Sequence, residues 1–298
     1  MSVVVLLAPS AALAATTNPS ITVEAEYGSV VIEGSLYTAA HHQPVGSKYA
    51  GHHVGGSMPS PCNDTNIPAI EDGTILVSHV DLDTFGGVLR ALGAHELFGT
   101  EHEGFWNLAE YVDVTGPHKV LGSGAEWSNV RKLYAYWAHA KGAKWLPRDV
   151  VSDITDLVRD TRGVLAKILA GNGDLLRAGD AFRLAGEELN SASFVRLSGN
   201  VVERSSDQFV NHLYLLPRAF SPRTTARAVV ALNTKTGAVT LSLEGPTFGV
   251  SCRDIAQKLW GPEAGGHDGI AGSPRERTMT AADAADAVEA LNAAMEGR

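Results

Sequence analysis

The sequence predicts an α/β chain: an N-terminal α/β domain on a parallel sheet, a helical connector and a smaller C-terminal α+β domain. Three observations predict it. Ile75-Leu76-Val77 is a short, β-branched apolar run suited to a strand buried on both faces, and a polar turn joins it to a helix-like segment, Phe85–Leu92. Two further segments, 126–142 and 148–170, have helical spacing, and the second carries an apolar stripe of Val151, Ile154, Leu157, Val158, Leu165 and Ile168. From about Ser191 the chain breaks into short β-like runs. The expected boundaries are therefore 1–145, 146–190 and 191–298, and 298 residues suffice for two cores.

The elements follow in order. Residues 1–15 join an apolar run to Ala12-Leu13-Ala14, as a signal peptide joins its core to its cleavage site, yet no Lys or Arg precedes Lys48. The run is too short to span a bilayer, and no other segment qualifies. A cytoplasmic protein without a membrane partner is expected, or a secreted one if the leader is genuine. Residues 21–39 alternate apolar and polar around Tyr27-Gly28-Ser29, which reads as two strands and a tight turn. From His41 to Ile70 no period is legible, and loops of that length are usually functional or disordered.

Beyond the Ile75–Leu92 stretch, Phe105–Val112 reads as a short helix or strand, and Asp113–His118 as a turn. A helix at about 175–189 ends the connector. Strands are expected at 194–197, 201–204, 209–216, 226–232 and 238–243, with Asn233–Gly237 as a turn. A helix at 251–260, a glycine-rich turn at 265–272 and a helix from Ala281 complete the chain.

Composition narrows the function classes. Hydrophobic residues form 44% and charged residues 19%, an ordinary globular balance. A net charge of -9 disfavours long duplex nucleic acid, which needs many cations near phosphates, but is compatible with a small phosphorylated substrate held by a metal. Cys62 and Cys252 are too few for a disulfide framework or a cysteine-rich zinc site. Homodimerisation stays open.

The chemistry concentrates after Val77. A strand, a turn and a helix place His79, Asp81 and Asp83 at the carboxyl edge of a sheet, where open α/β folds hold ligands. One imidazole and two carboxylates suit Mn²⁺, Zn²⁺ or Fe²⁺. The plainer reading is that Asp83 or Thr84 caps the helix and the rest are solvated. Asp113 and the pair His41-His42 are candidates to extend the set; His52-His53, His102 between two glutamates, and His118 have a weaker case. Metal-assisted phosphoester hydrolysis needs cations that lower the pKa of water and clamp the reacting oxygens. It also needs donors for the phosphate, and Gly265-Gly266-His267 offers backbone amides and an imidazole.

These residues resemble a family. His79-Val80-Asp81-Leu82-Asp83, between a buried strand and a glycine-containing helix, is similar to the first motif of the DHH phosphoesterase superfamily. Arg227–Leu243, the helix with Asp254-Ile255-Ala256, and Gly265–Gly272 with its GGH-x-x-A-G pattern resemble that superfamily's C-terminal DHH-associated domain. The resemblance implies two divalent ions, typically Mn²⁺, with Mg²⁺, Co²⁺ or Zn²⁺ as substitutes. It also implies a substrate cleft closed by the C-terminal domain. The substrate would be a short oligonucleotide, a cyclic dinucleotide or a nucleotide bisphosphate. Residue by residue, it assigns His79, Asp81 and Asp83 to catalysis and metal, and Gly265, Gly266 and His267 to substrate. Asp113-Val114-Thr115-Gly116 resembles the family's late D-x-T-G turn. The name-giving Asp-His-His does not follow the first motif; Ala40-His41-His42 precedes it, with Ala in place of Asp. That departure keeps one alternative in view, a non-catalytic nucleotide-binding protein, and the number of histidines keeps another, a single-zinc hydrolase.

Overall fold

The computed structural model describes residues 2–32, 34, 36–42, 53–54, 59–142, 146–192, 194–207, 227–244 and 249–296. The chain divides into two compact units, one of residues 1–113 and 121–182, the other of 114–120 and 183–298.

The first unit opens with β1 (Ser2–Leu7), the single turn α1 (Ala11–Ala14), β2 (Ile21–Val23), β3 (Glu26–Tyr27), β4 (Val30–Val31), β5 (Tyr37–Ala40) and β6 (His53–Val54). β7 (Asp72–Val77), α2 (Leu82–Ala91), α3 (Glu103–Thr115), α4 (Trp127–Lys141), β8 (Ser152–Asp153) and α5 (Thr155–Leu169) follow, and α6 (Gly173–Ala192) carries the chain from this unit into the second. The main sheet has the order β6-β5-β2-β7-β1-β8. All its neighbours are parallel except the β1–β8 pair.

Parallel strands are covered on both faces, so β-branched and small apolar residues run through them without alternation. The apolar start of the chain fills β1, and Val3, Val5 and Leu7 are buried there. Ile75, Leu76 and Val77 of β7 are likewise wholly buried. Residues 21–39 differ from the expected hairpin: β2 and β5 are parallel neighbours, Ile21 opposite Tyr37 and Val23 opposite Ala39. The tight turn belongs to a small inserted hairpin, β3–β4, with Gly28 at φ +62°. Thr22 and Thr38, which read as solvated positions, are buried on the second face of this sheet.

Residues 103–115 form one helix, which puts Asp113 in its last turn rather than in a loop; Gly116 at φ +97° ends it. The helical spacing of 148–170 holds from Thr155. Before it, Leu6 pairs with Asp153, whose Oδ1 accepts the Thr155 amide (2.9 Å) and hydroxyl (2.6 Å) and so turns the edge strand into α5.

The second unit contains β9 (Phe194–Ser198), β10 (Val201–Ser206), β11 (Ala228–Asn233), β12 (Ala238–Leu243), α7 (Cys252–Trp260), β13 (Gly265–Gly266), β14 (Ile270–Gly272) and α8 (Ala281–Glu296). Its sheet order is β13-β14-β12-β11-β10-β9, with β10–β11 parallel and the other pairs antiparallel. Val230, Leu241, Ala256, Trp260, Ala287 and Leu291 belong to its core, where α7 and α8 cover the sheet. The strand expected at 209–216 lies outside the described residues.

Candidate metal centre

The parallel sheet places the carboxyl ends of β5, β2 and β7 side by side. Each strand delivers polar residues at its end: Glu24 after β2, His41 and His42 after β5, Ser78 and His79 after β7. The first turn of α2 adds Asp81 and Asp83, and the last turn of α3 adds Asp113. Open parallel sheets present ligand sites at this edge because the helices that follow each strand leave a crevice there.

Glu24 is at the middle of the cluster. It is fully buried and is the one non-glycine residue among those described with a positive φ, +48°. That conformation costs on the order of 1–2 kcal/mol for a residue with a Cβ. Its backbone is held on both sides: the amide donates to the Ala39 carbonyl (2.9 Å), and its carbonyl accepts from the Ser78 hydroxyl. Glu24 Oε1 lies 2.9 Å from His41 Nε2 and 3.5 Å from His42 Nε2. Glu24 Oε2 lies 3.2 Å from His79 Nε2 and accepts from Thr84 Oγ1 at 3.3 Å.

The other carboxylates complete the arrangement. Asp81 Oδ2 is 2.9 Å from His79 Nε2, while its Oδ1 accepts the Thr84 amide at 3.3 Å. The helix cap is therefore Asp81, rather than Asp83 or Thr84, and its second oxygen is spare for the site. Asp113 Oδ2 lies 3.0 Å from His41 Nε2 and accepts from Ser60 Oγ at 2.6 Å. Asp83 is buried, and its Oδ2 has no hydrogen-bond partner among the described residues.

The electrostatics show what the cluster lacks. Burial pushes the Asp83 carboxyl up, and the Asp113, Asp81 and Glu24 carboxylates push it further. Burial acts the same way on Glu24, but His42 and His41 outweigh it and hold that carboxyl well below the usual range. Burial raises Asp81 too, but His79 outweighs it and lowers that carboxyl below its ordinary value. Burial would lower the His41 ring, yet Asp113 and Glu24 hold it well above its ordinary value. The rings of His41, His42 and His79 are thus what lowers Glu24 and Asp81, while burial and the neighbouring carboxylates raise Asp83. Tyr136 on α4 keeps its proton, through burial first and then the Asp81 and Asp83 charges.

Among the sets of ligand atoms within the first unit that converge within 4.8 Å are Glu24, His79 and Asp81, and Glu24, His41, Asp83 and Asp113. They share Glu24. A third set, Glu24, Glu26 and His42, adjoins them. Oxygen donors with one imidazole per set fit Mn²⁺ or Zn²⁺, and the orphaned Asp83 oxygen fits a cation ligand. Binding would replace the imidazolium protons as counter-charge and release them.

The structure therefore brings His41, His42, His79, Asp81, Asp83 and Asp113 together within the first unit. Gly265, Gly266 and His267 lie in the second unit, on the β13–β14 hairpin. There the His267 amide donates to the Ile270 carbonyl at 2.7 Å, so it closes the hairpin instead of facing outward. Gly266 is at φ +137°, and a Cβ there would fall 2.6 Å from the Ile270 oxygen, so glycine is required. His118 is buried in the second unit with Nε2 3.4 Å from the Leu243 carbonyl, and His102 pairs with the exposed Glu101 at 3.7 Å. His52 and the His53 side chain lie outside the described residues.

Glu24 is the residue that sequence reasoning missed. In Ile21–Tyr27 it occupies a polar position of an alternating pattern, which reads as a solvated strand face. Nothing in the local pattern separates it from a solvated position, because its left-handed backbone and its parallel sheet neighbours leave no trace in the alternation.

No protein-family model matches the chain, and no curated protein matches it in sequence. Among solved structures it is similar to the pGpG-specific phosphodiesterase PggH from Vibrio cholerae, with 10% identity and a TM-score of 0.38 over 93% of this chain and 98% of that one. It is also similar to an uncharacterized protein from Helicobacter pylori G27, with 10% identity and a TM-score of 0.22 over 76% of this chain and 70% of that one. Both likenesses are remote.

Proposed function

We propose that the chain is a divalent-cation-dependent phosphoesterase acting on a small nucleotide-type phosphoester. The observation that carries this reading is the buried Glu24 carboxylate, shared by two convergent donor sets. Two cations held there, Mn²⁺ by preference, would supply Lewis acidity toward phosphoryl oxygens and water made acidic enough to attack at neutral pH.

The chain's own residues divide the remaining work. His79, Asp81 and Glu24 form one cradle, and Asp83, Asp113, His41 and Glu24 the other. Ser60 and Thr84 orient Asp113 and Glu24 through their hydroxyls. His42 belongs to neither cradle and is proposed as a further ligand, beside them with Glu24 and Glu26. Gly265, Gly266 and His267 are the proposed grip on the substrate phosphate. The resemblance of His79–Asp83 and Gly265–Gly272 to the DHH superfamily supports the same reading. Ala40 leaves His41 without the family's neighbouring aspartate, and Glu24 brings a carboxylate to 2.9 Å from that ring. The net charge of -9 favours a small substrate over a polymer.

The test is metal-stripped protein given back Mn²⁺ and offered bis-p-nitrophenyl phosphate, a dinucleotide, a cyclic dinucleotide and adenosine 3′,5′-bisphosphate. Mn²⁺-restored turnover of any of them is expected. Folded protein that binds Mn²⁺ yet turns over none would overturn the enzyme reading and leave a nucleotide-binding protein. Acyl-ester hydrolysis restored by one Zn²⁺ alone would shift the assignment to a zinc hydrolase.

A further inference from the structure

Ser78 touches two residues of the centre at once. It is 1% exposed, at the end of β7. Its hydroxyl contacts the Glu24 carbonyl and lies 2.9 Å from His79 Nδ1. A hydroxyl has one proton to donate, and a carbonyl oxygen can only accept. The Ser78 proton therefore goes to Glu24, and Ser78 faces His79 with a lone pair. His79 must carry its proton on Nδ1 to meet it. The other nitrogen, Nε2, then faces Glu24 Oε2 at 3.2 Å and Asp81 Oδ2 at 2.9 Å, which is the cation side of the ring.

We propose that Ser78 is a positioning residue that fixes His79 as an Nε2 ligand while it holds the strained Glu24 backbone in place. This rests on the metal reading of the centre. When the ring gives up a proton to a cation, the Nδ1 proton is tied to Ser78 and the Nε2 proton is the one released. Groups that hold the far nitrogen of a ligating histidine set its ring orientation and basicity, and their loss typically weakens metal binding by about 10–100-fold. Here the same hydroxyl also steadies Glu24, the ligand common to both sets. Ser78→Ala should therefore lie toward the larger end of that range.

Isotope-labelled histidine in the full chain, titrated with Zn²⁺ as a diamagnetic probe, tests this in nitrogen–proton correlation spectra. The wild-type His79 ring is expected to bind through Nε2 and to show an Nδ1 proton protected from exchange. In Ser78→Ala that proton should exchange too fast to detect, and Zn²⁺ affinity by calorimetry should fall by about 10–100-fold. Ligation through Nδ1 in the wild type overturns the proposal without any variant. So does an unchanged proton and affinity in folded Ser78→Ala. If Zn²⁺ leaves the wild-type His79 nitrogens unmoved, the metal reading itself fails, and that result is distinct from the other two.

Discussion

Asp83 is the residue whose position makes least sense without a cation. Its carboxyl is buried with an oxygen unpartnered, and three neighbouring carboxylates oppose its charge. Asp83→Asn puts a neutral amide, at nearly constant volume, where burial and the neighbouring carboxylates oppose a charged carboxylate. In chelator the variant should melt at or above the wild-type temperature. A ligand that binds only the native state stabilises by about 2.7 kcal/mol at 100 times its Kd, a shift of several degrees in a chain of this size. Wild-type protein should show that rise with Mn²⁺, and Asp83→Asn should lose most of it. Thermal melts with and without Mn²⁺ decide the point: a variant that melts lower in chelator and keeps the full metal shift has lost a structural residue, not a ligand. The contrast between Asp83 and Glu24 explains what was legible at this scale. His79, Asp81 and Asp83 sit within five positions of one another, so local spacing exposes them. Glu24 joins them through sheet pairing and a left-handed backbone, neither of which leaves a mark in a single sequence.

At the scale of elements, α2 is aimed by two glycines. A Cβ on Gly86 would lie 2.4 Å from Cys62 Cβ and 3.0 Å from a Trp106 ring carbon; one on Gly87 would lie 2.7 Å from Val23 Cγ1. The helix therefore lies directly against β2 and the Pro61–Asn63 turn, and this close approach holds Asp83 in the cluster. Overpacking of a well-packed core costs typically about 1–3 kcal/mol. Gly86→Ala should lower the urea unfolding free energy by that amount and weaken Mn²⁺ binding, because Asp83 moves with its helix. Unchanged stability and affinity would show that α2 can shift freely. Helical periodicity gave α4 and α6 to within a few residues, whereas the helix expected over 148–170 begins only at Thr155 and α2 begins at Leu82 rather than Phe85. Strand partners were not readable. Parallel pairing of β2 with β5 joins residues sixteen apart around an inserted hairpin, and local alternation resembles a simple hairpin instead. Asp113 likewise reads as a turn residue because Gly116 and Pro117 follow it, although the helix persists to Thr115.

At the scale of the molecule, each unit has its own sheet and apolar core, and no helix among the described residues is long and apolar enough to cross a membrane. His118 gives the second unit a titrating group apart from the metal centre. It is 3% exposed in the second unit, and its pKa is lowered to about 4, by burial first and by the Lys119 charge, against the Leu243 carbonyl contact. A histidine depressed from 6.5 in the unfolded chain to about 4 is neutral when folded. The unfolded state thus binds the extra proton first. The stabilisation is complete above pH ~6.5 and is lost as the pH falls toward 4, up to about 3 kcal/mol in all. His118→Gln abolishes that titration. Hydrogen exchange of the β12 amides, compared between the two proteins at each pH in chelator, reads it within the second unit. The stability gap between wild type and variant should move by about 2–3 kcal/mol in the variant's favour between pH 7.5 and pH 4. A constant gap would mean that the folded second unit takes up a proton at His118 as readily as the unfolded chain does.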